Sequence, residues 1–114
     1  MSDCLFCKIV AGEIPAQVVA ESDTSLAFYD VAPQAPVHVL VIPKQHLSGV
    51  NDELAHGAHV FDDLMALVTT VVADEGVKDS GYRLVVNVGE DAQQSVPHLH
   101  VHVLGGRRLT WPPG

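Results

Sequence analysis

Along the 114-residue chain the spacing of apolar positions changes several times, and each change marks an element. Leu5, Phe6, Ile9 and Val10 recur at helical spacing. Asp3 stands where it can cap a short helix running to about Ala11, with Gly12 as its stop. Pro15 forces extended chain after it. Val18–Glu21 and Ser25–Tyr29, joined by Ser22-Asp23-Thr24, read as a short hairpin. Residues 30–36 hold two prolines and are loop, and 37–42 form an almost wholly apolar strand, hence a central one, ended by Pro43. Asn51 or Asp52 opens a long helix whose stripe Leu54, Ala58, Phe61, Met65, Val68 and Val72 repeats at four and three, so Phe61 and Met65 belong to the core; Gly76 closes it. Residues 82–88 make a fourth strand, and the loop 89–95 turns the chain back into a fifth.

That fifth segment is Ser95-Val96-Pro97-His98-Leu99-His100-Val101-His102-Val103-Leu104, stopped by Gly105-Gly106. Its strict alternation has the period of a strand, which sets His98, His100 and His102 on one face and Leu99, Val101 and Val103 on the other, in a core. Strands 4 and 5 are expected to pair as an antiparallel hairpin, bringing Asn87, the loop amides and Ser95 to the end where His100 lies. Three imidazoles on one strand face are costly to bury unless chemistry uses them. Two uses compete: metal ligation, and phosphoryl chemistry in which one ring is the nucleophile and its neighbours manage protons. His38, alone in the apolar third strand, reads as a partner for one of these rings. His56 and His59 fall off the helical stripe and face solvent.

Size and charge narrow the partners. The length suits one domain, residues 1–114, and no apolar run reaches the ~20 residues that cross a bilayer. The N-terminus shows no signal-peptide pattern, so a cytoplasmic protein is the expectation. Fourteen carboxylates against six Lys and Arg give a net charge of −8, which argues against a nucleic-acid polymer and leaves a single nucleotide feasible. Both cysteines lie in Cys4-Leu5-Phe6-Cys7; with no strand before the motif, half of a metal site is favoured over a redox pair, and histidines are the obvious source of further ligands. The Pro-rich tail 107–114 cannot be helix or central strand, and its Trp111 reads as a docking anchor for a partner subunit.

The segment His98-Leu99-His100-Val101-His102-Val103-Leu104 resembles the His-φ-His-φ-His-φ-φ signature of the histidine triad superfamily. Residues 8–15, 32–38, 41–44 and 81–83 agree as well, and Gln94-Ser95, Gly105-Gly106-Arg107 and Trp111-Pro112-Pro113-Gly114 are similar to the Hint branch in particular. The resemblance implies an α+β fold of five antiparallel strands and two helices, its sheet extended across a homodimer. It implies a purine nucleoside phosphoramidase, which passes the nucleotide through a nucleotidyl-histidine on its way to nucleoside monophosphate and amine.

By the same resemblance His100 is the nucleophile, Ser95, Asn87 and His102 hold the phosphate and help the amine leave, and His38 supports the nucleophile. Asp30 takes the ribose hydroxyls, Phe6, Ile9, Phe28 and Val31 line the slot for the base, and Gln93 and Trp111 complete the substrate contacts. Cys4, Cys7, His46 and His98 match a structural zinc set found in some bacterial members; no organic cofactor is implied. The chain departs from the Hint pattern at Ala92-Gln93-Gln94, where Gln93 replaces a glycine that meets phosphate through its backbone, at Pro97, where an aromatic residue is common, and at Tyr29, often His. Rival expectations are a dinucleoside polyphosphate hydrolase, a nucleotide-binding or scaffold protein of little activity, and a zinc hydrolase using the triad as ligands.

Overall fold

A computed structural model describes residues 3–114. In chain order it holds α1 (Leu5–Val10), β1 (Val18–Glu21), β2 (Ser25–Tyr29), β3 (Val37–Pro43), one turn of 3₁₀ helix (Glu53–His56), α2 (Val60–Asp74), β4 (Tyr82–Val85) and β5 (Val101–Gly105). The strands form one antiparallel sheet in the order β1-β2-β3-β5-β4, so the apolar β3 is central as its composition requires. No described helix is long and apolar enough to cross a membrane.

The alternation along β2, β3 and the triad segment divides the burial between two faces. On one, Ala27, Val39, Val41, Leu99, Val101 and Val103 pack against Leu64, Leu67, Val68, Val71 and Val72 of α2. On the other, Leu26, Phe28, Leu40 and Ile42 meet Phe6 and Cys4 from the α1 segment. The second face is also the histidine face. One sheet therefore carries its main core on one side and its chemistry on the other.

Several elements differ from the sequence expectation, each for a local reason. Cys4, not Asp3, caps α1, its sulfur accepting the Cys7 N–H at 3.4 Å. Gly12 ends that helix in the left-handed region, φ 77°, as expected of a C-terminal glycine. Asp52 does cap a helical turn, accepting the Leu54 N–H, but only the 3₁₀ turn; the chain then breaks at Ala58 and His59, φ 49° and 60°, before α2 starts at Val60. Leu54 and Ala58 thus lie outside α2, and the expected stripe runs along the edge of the buried arc. Phe61 is half-buried and Met65 is exposed, while the core face is Leu64, Leu67, Val68, Val71 and Val72. Strand β4 stops at Val85, and residues 96–98 bend, the His98 N–H closing onto the Val96 carbonyl at 2.8 Å, so the ladder of β5 begins only at Val101. The alternation outlasts the ladder, because Leu99 still enters the α2 core while His98 and His100 are buried on the other side.

This phase of α2 has a measurable consequence. Leu64→Ala is expected to lower unfolding free energy by about 2–5 kcal/mol, and Met65→Ala by less than about 1 kcal/mol. Urea unfolding of the two variants checks it; a larger loss for Met65→Ala would return the helix to the other stripe.

Candidate active site and metal cluster

A cavity of about 390 Å³ opens on the histidine face, between α1, the chain that follows it, and the ends of β2 and β5. Phe6, Ile9, Phe28 and Val31 line it, with Asp30, Ser95, His100 and His102 as polar groups. Each lies there for a simple reason. Phe6 and Ile9 are three apart on α1, Phe28 stands on the inner face of β2, and Asp30 follows where β2 ends. Phe6 sets its ring edge-on to Phe28 and to His100, with centroids 5.6 and 5.2 Å apart.

Backbone groups fix the tautomers of the buried rings. His100 Nδ1 lies 2.7 Å from the His98 carbonyl, which can only accept, so Nδ1 carries the proton and Nε2 keeps a lone pair on the opposite edge of the ring. The Gln34 N–H donates to His38 Nδ1 at 3.0 Å, which leaves the His38 proton on Nε2. That Nε2–H donates to His102 Nδ1 at 2.9 Å, with the Asp30 carboxylate 3.4 Å away. The His102 proton must then sit on Nε2, a buried atom with no hydrogen-bond partner among the described residues. The chain Gln34, His38, His102 thus ends in an N–H donor.

Burial, and then the neighbouring His100 and His38, push the His102 pKa down to about 4, against a weaker opposing pull from Asp30. Burial lowers His38 as well, again opposed by Asp30. Both rings are neutral near pH 7, as the hydrogen-bond chain demands.

On the other side of Phe6, Cys4 and Cys7 meet His46 and His98, with their four ligand atoms all within 4.8 Å of one another. The separations are 3.3 Å from Cys4 Sγ to His98 Nδ1, 3.2 Å from Cys7 Sγ to His46 Nδ1, and 3.3 Å between the two Nδ1 atoms. A tetrahedron with bonds of about 2.0–2.3 Å has edges of roughly 3.3–3.8 Å. The tautomer agrees: His98 Nε2–H donates to the Pro43 carbonyl at 2.9 Å, so Nδ1 presents its lone pair to the cluster. These four residues could hold a metal such as zinc. Asp30, His38 and His102 also lie close enough to share an ion. There, however, His38 would have to offer Nε2 as a lone pair and move its proton to Nδ1, against the Gln34 N–H. That group is a hydrogen-bond relay.

Other expected residues stand elsewhere. Asn87, Gln93 and Trp111 are not among the cavity's lining residues. Trp111 is exposed beside β4, the Arg83 guanidinium 5.8 Å from its ring centre. Gln93 takes φ 58°, the left-handed conformation that a glycine would adopt without strain. His56 and His59 are exposed, as their place off the stripe implied. The sequence reasoning missed Leu5, Ile14, Ala16 and Leu40 in the cavity wall and the Gln34 N–H behind His38. Of these, Leu5, on the apolar face of α1, and Leu40, alternating with Ile42 on β3, carried a signal.

Residues 11–109 match the family model of the HIT domain. The chain belongs to the HIT-domain family. A HIT-like protein of Synechococcus elongatus is 50% identical over 112 residues, covering 98% of this chain and 97% of that protein. Among solved structures, a HIT family hydrolase from Legionella pneumophila superposes with a TM-score of 0.93 at 47% identity, covering 98% of this chain and all of that one. A histidine triad nucleotide-binding protein from Candida albicans gives 0.82 at 33%, covering 96% and 83%. The α+β architecture of this HIT domain is thus that of its relatives.

The neutrality of His102 predicts a pH dependence. Its folded pKa of about 4 lies below the ordinary 6.5, so between these values the unfolded chain binds a proton that the folded one refuses. Stability present above pH 6.5 is lost as the pH falls toward 4. Replacing His102 by Gln should make the fall in urea-unfolding free energy over this window shallower. Coincident slopes would mean that His102 is already charged in the fold.

Proposed function

We propose that this HIT domain is a hydrolase of purine nucleoside 5′-phosphoramidates, of the Hint type. The observation that carries the proposal is the His100 ring. Its Nδ1–H is held by the His98 carbonyl at 2.7 Å, and its other nitrogen is a lone pair beside an apolar cavity large enough for a nucleoside. The relatives' names, a hydrolase and a nucleotide-binding protein, support the same class.

Phe6, Ile9, Phe28 and Val31 take the base, and Asp30 the ribose hydroxyls. Neutral His100 attacks phosphorus through Nε2. The P–Nε2 bond forms, the P–N bond to the amine breaks, and the amine leaves with a proton that bulk water supplies through the exposed Ser95 hydroxyl. Water then attacks phosphorus, Nε2 departs as neutral imidazole, and the proton lost by water returns along the same path. The sum is phosphoramidate plus water giving nucleoside monophosphate plus amine. One hard displacement becomes two easier ones. His102 Nε2–H supplies the donor for a phosphoryl oxygen, and His38 holds that ring in its tautomer. Asn87 and Gln93 are assigned to the phosphate side by the resemblance alone, since neither lines the cavity. No Lys or Arg lines the cavity, a poorer match to a polyphosphate, with its several charges, than to a singly charged phosphoramidate.

Zinc is the metal we assign to Cys4, Cys7, His46 and His98. Cys4, Cys7, His46 and His98 would hold it as two thiolates and two imidazoles, a set that would cross-link the fold structurally and offer no place to a catalytic water. The functional unit is read as a homodimer, the sheet continued across the subunits and Trp111 docked toward the partner's site.

Two experiments follow. With adenosine 5′-phosphoramidate the wild type should release AMP, and His100→Ala should lose several orders of magnitude, roughly 10³-fold or more. Equal, slow release by both would favour a binding protein. Removing metal with a chelator should lower the thermal midpoint by many degrees while turnover below that temperature persists. Immediate loss of turnover at full folding would instead make the metal catalytic.

A further inference from the structure

The loop between β4 and β5 ends at Ser95, and the side chain just before it is bonded at three points. Gln94 Nε2 donates to the Ser48 carbonyl at 2.9 Å and to the Val96 carbonyl at 3.1 Å. Its Oε1 accepts the Gly89 N–H at 3.1 Å. Two carbonyls at one end of the amide and an N–H at the other settle which terminus is nitrogen. The Gln94 backbone N–H donates to the Gly89 carbonyl at 3.0 Å, so residues 89 and 94 exchange two hydrogen bonds and close the loop into a ring.

These bonds fasten the approach to the triad onto a second loop. The Val96 carbonyl also accepts the His98 N–H at 2.8 Å, and the Leu99 N–H reaches the Leu47 carbonyl at 2.6 Å. The segment 94–99 is thereby tied to residues 47 and 48, next to His46. Ser95 lines the cavity with His100 and His102, yet it is largely exposed, so packing does little to place its hydroxyl. Gln93 adds a reason for a clamp. It is held at φ 58°, a region that residues with a Cβ avoid, and a loop so strained relaxes unless its surroundings over-determine it.

From this geometry we infer that Gln94 is a positioning residue, holding the Ser95 hydroxyl where the proton of the leaving amine is handled. The inference rests on the phosphoramidase reading. Its signature is selective. A strongly basic alkylamine needs its proton to leave, whereas a weakly basic arylamine needs it much less.

The test compares adenosine 5′-phosphoramidates bearing an alkylamine and an arylamine. Gln94→Glu keeps an acceptor for Gly89 but turns an oxygen toward two carbonyls, and Gln94→Met removes all three bonds at similar length. On the alkylamine substrate kcat is expected to fall about 10–100-fold in both variants, with KM within about three-fold. On the arylamine substrate kcat should fall less than about three-fold, while His100→Ala loses both substrates alike. Thermal midpoints are read in parallel. Equal losses on the two substrates, matched by a lowered midpoint, would make Gln94 merely structural, and variants matching the wild type on both would overturn the clamp alone. A wild type inert toward both substrates would overturn the phosphoramidase reading and this inference with it.

Discussion

One buried residue, His98, is committed in three directions at once. Its Nε2–H binds the Pro43 carbonyl at the end of β3, its Nδ1 faces the Cys4, Cys7 and His46 cluster, and its own carbonyl holds His100. A fully buried imidazole is tolerable only with both nitrogens satisfied, so the ring has one orientation and one tautomer. That orientation joins the central strand, the N-terminal helix and the ring proposed as nucleophile. The same logic recurs along the row. The Pro43 carbonyl fixes His98, the His98 carbonyl fixes His100, and the Gln34 N–H fixes His38 and through it His102. Three main-chain groups determine four protonation patterns, and rigid backbone is a better template for this than other side chains.

The two faces of the sheet explain why such a row survives in a small fold. The α2 face carries the larger core, which frees the other face for polar burial. That second face is covered mainly by α1, a helix of six residues, too short to be stable by itself. What holds α1 down is Phe6, wedged against Phe28, His98 and His100, together with the cysteine pair at its start. The cluster and the cavity therefore share one helix. Cys4 and Cys7 anchor the side chains that Leu5, Phe6 and Ile9 offer to the cavity wall.

Much of this was legible in the chain itself. The period-two run from His98 to Val103 correctly divided the rings from the core residues, and the apolar run before Pro43 marked the central strand. Cys-x-x-Cys announced half of a cluster that could hold a metal, although only the resemblance pointed to His46, which sits in a loop without periodicity. What escaped detection was set by tertiary context. The left-handed residues Ala58 and His59 break the helical register just after Gly57, which caps the 3₁₀ turn and was the one sign of the break in the sequence. That His38 partners a triad ring was expected, but the periodicity did not say which ring it meets across 64 residues, and the backbone N–H of Gln34 has no side-chain signature at all. Ile14 and Ala16 reach the cavity from an irregular connection, which no pattern rule describes.

The charge balance bears on the chemistry in a way that first looks unfavourable. A chain of net charge −8 should repel an anionic substrate, and no Lys or Arg in the cavity wall compensates. Screening over about 8 Å at physiological salt confines the long-range part, leaving local groups to decide. Those groups suit a histidine nucleophile. In the proposed step Nε2 bonds to phosphorus while Nδ1–H stays on the His98 carbonyl, and the ring would bear a positive charge next to the phosphoryl oxygens. A nearby cation would oppose that step. The His98 carbonyl and the Asp30 carboxylate of the cavity wall would favour that charge instead, and on this argument the lack of basic side chains is part of how the proposed site would work.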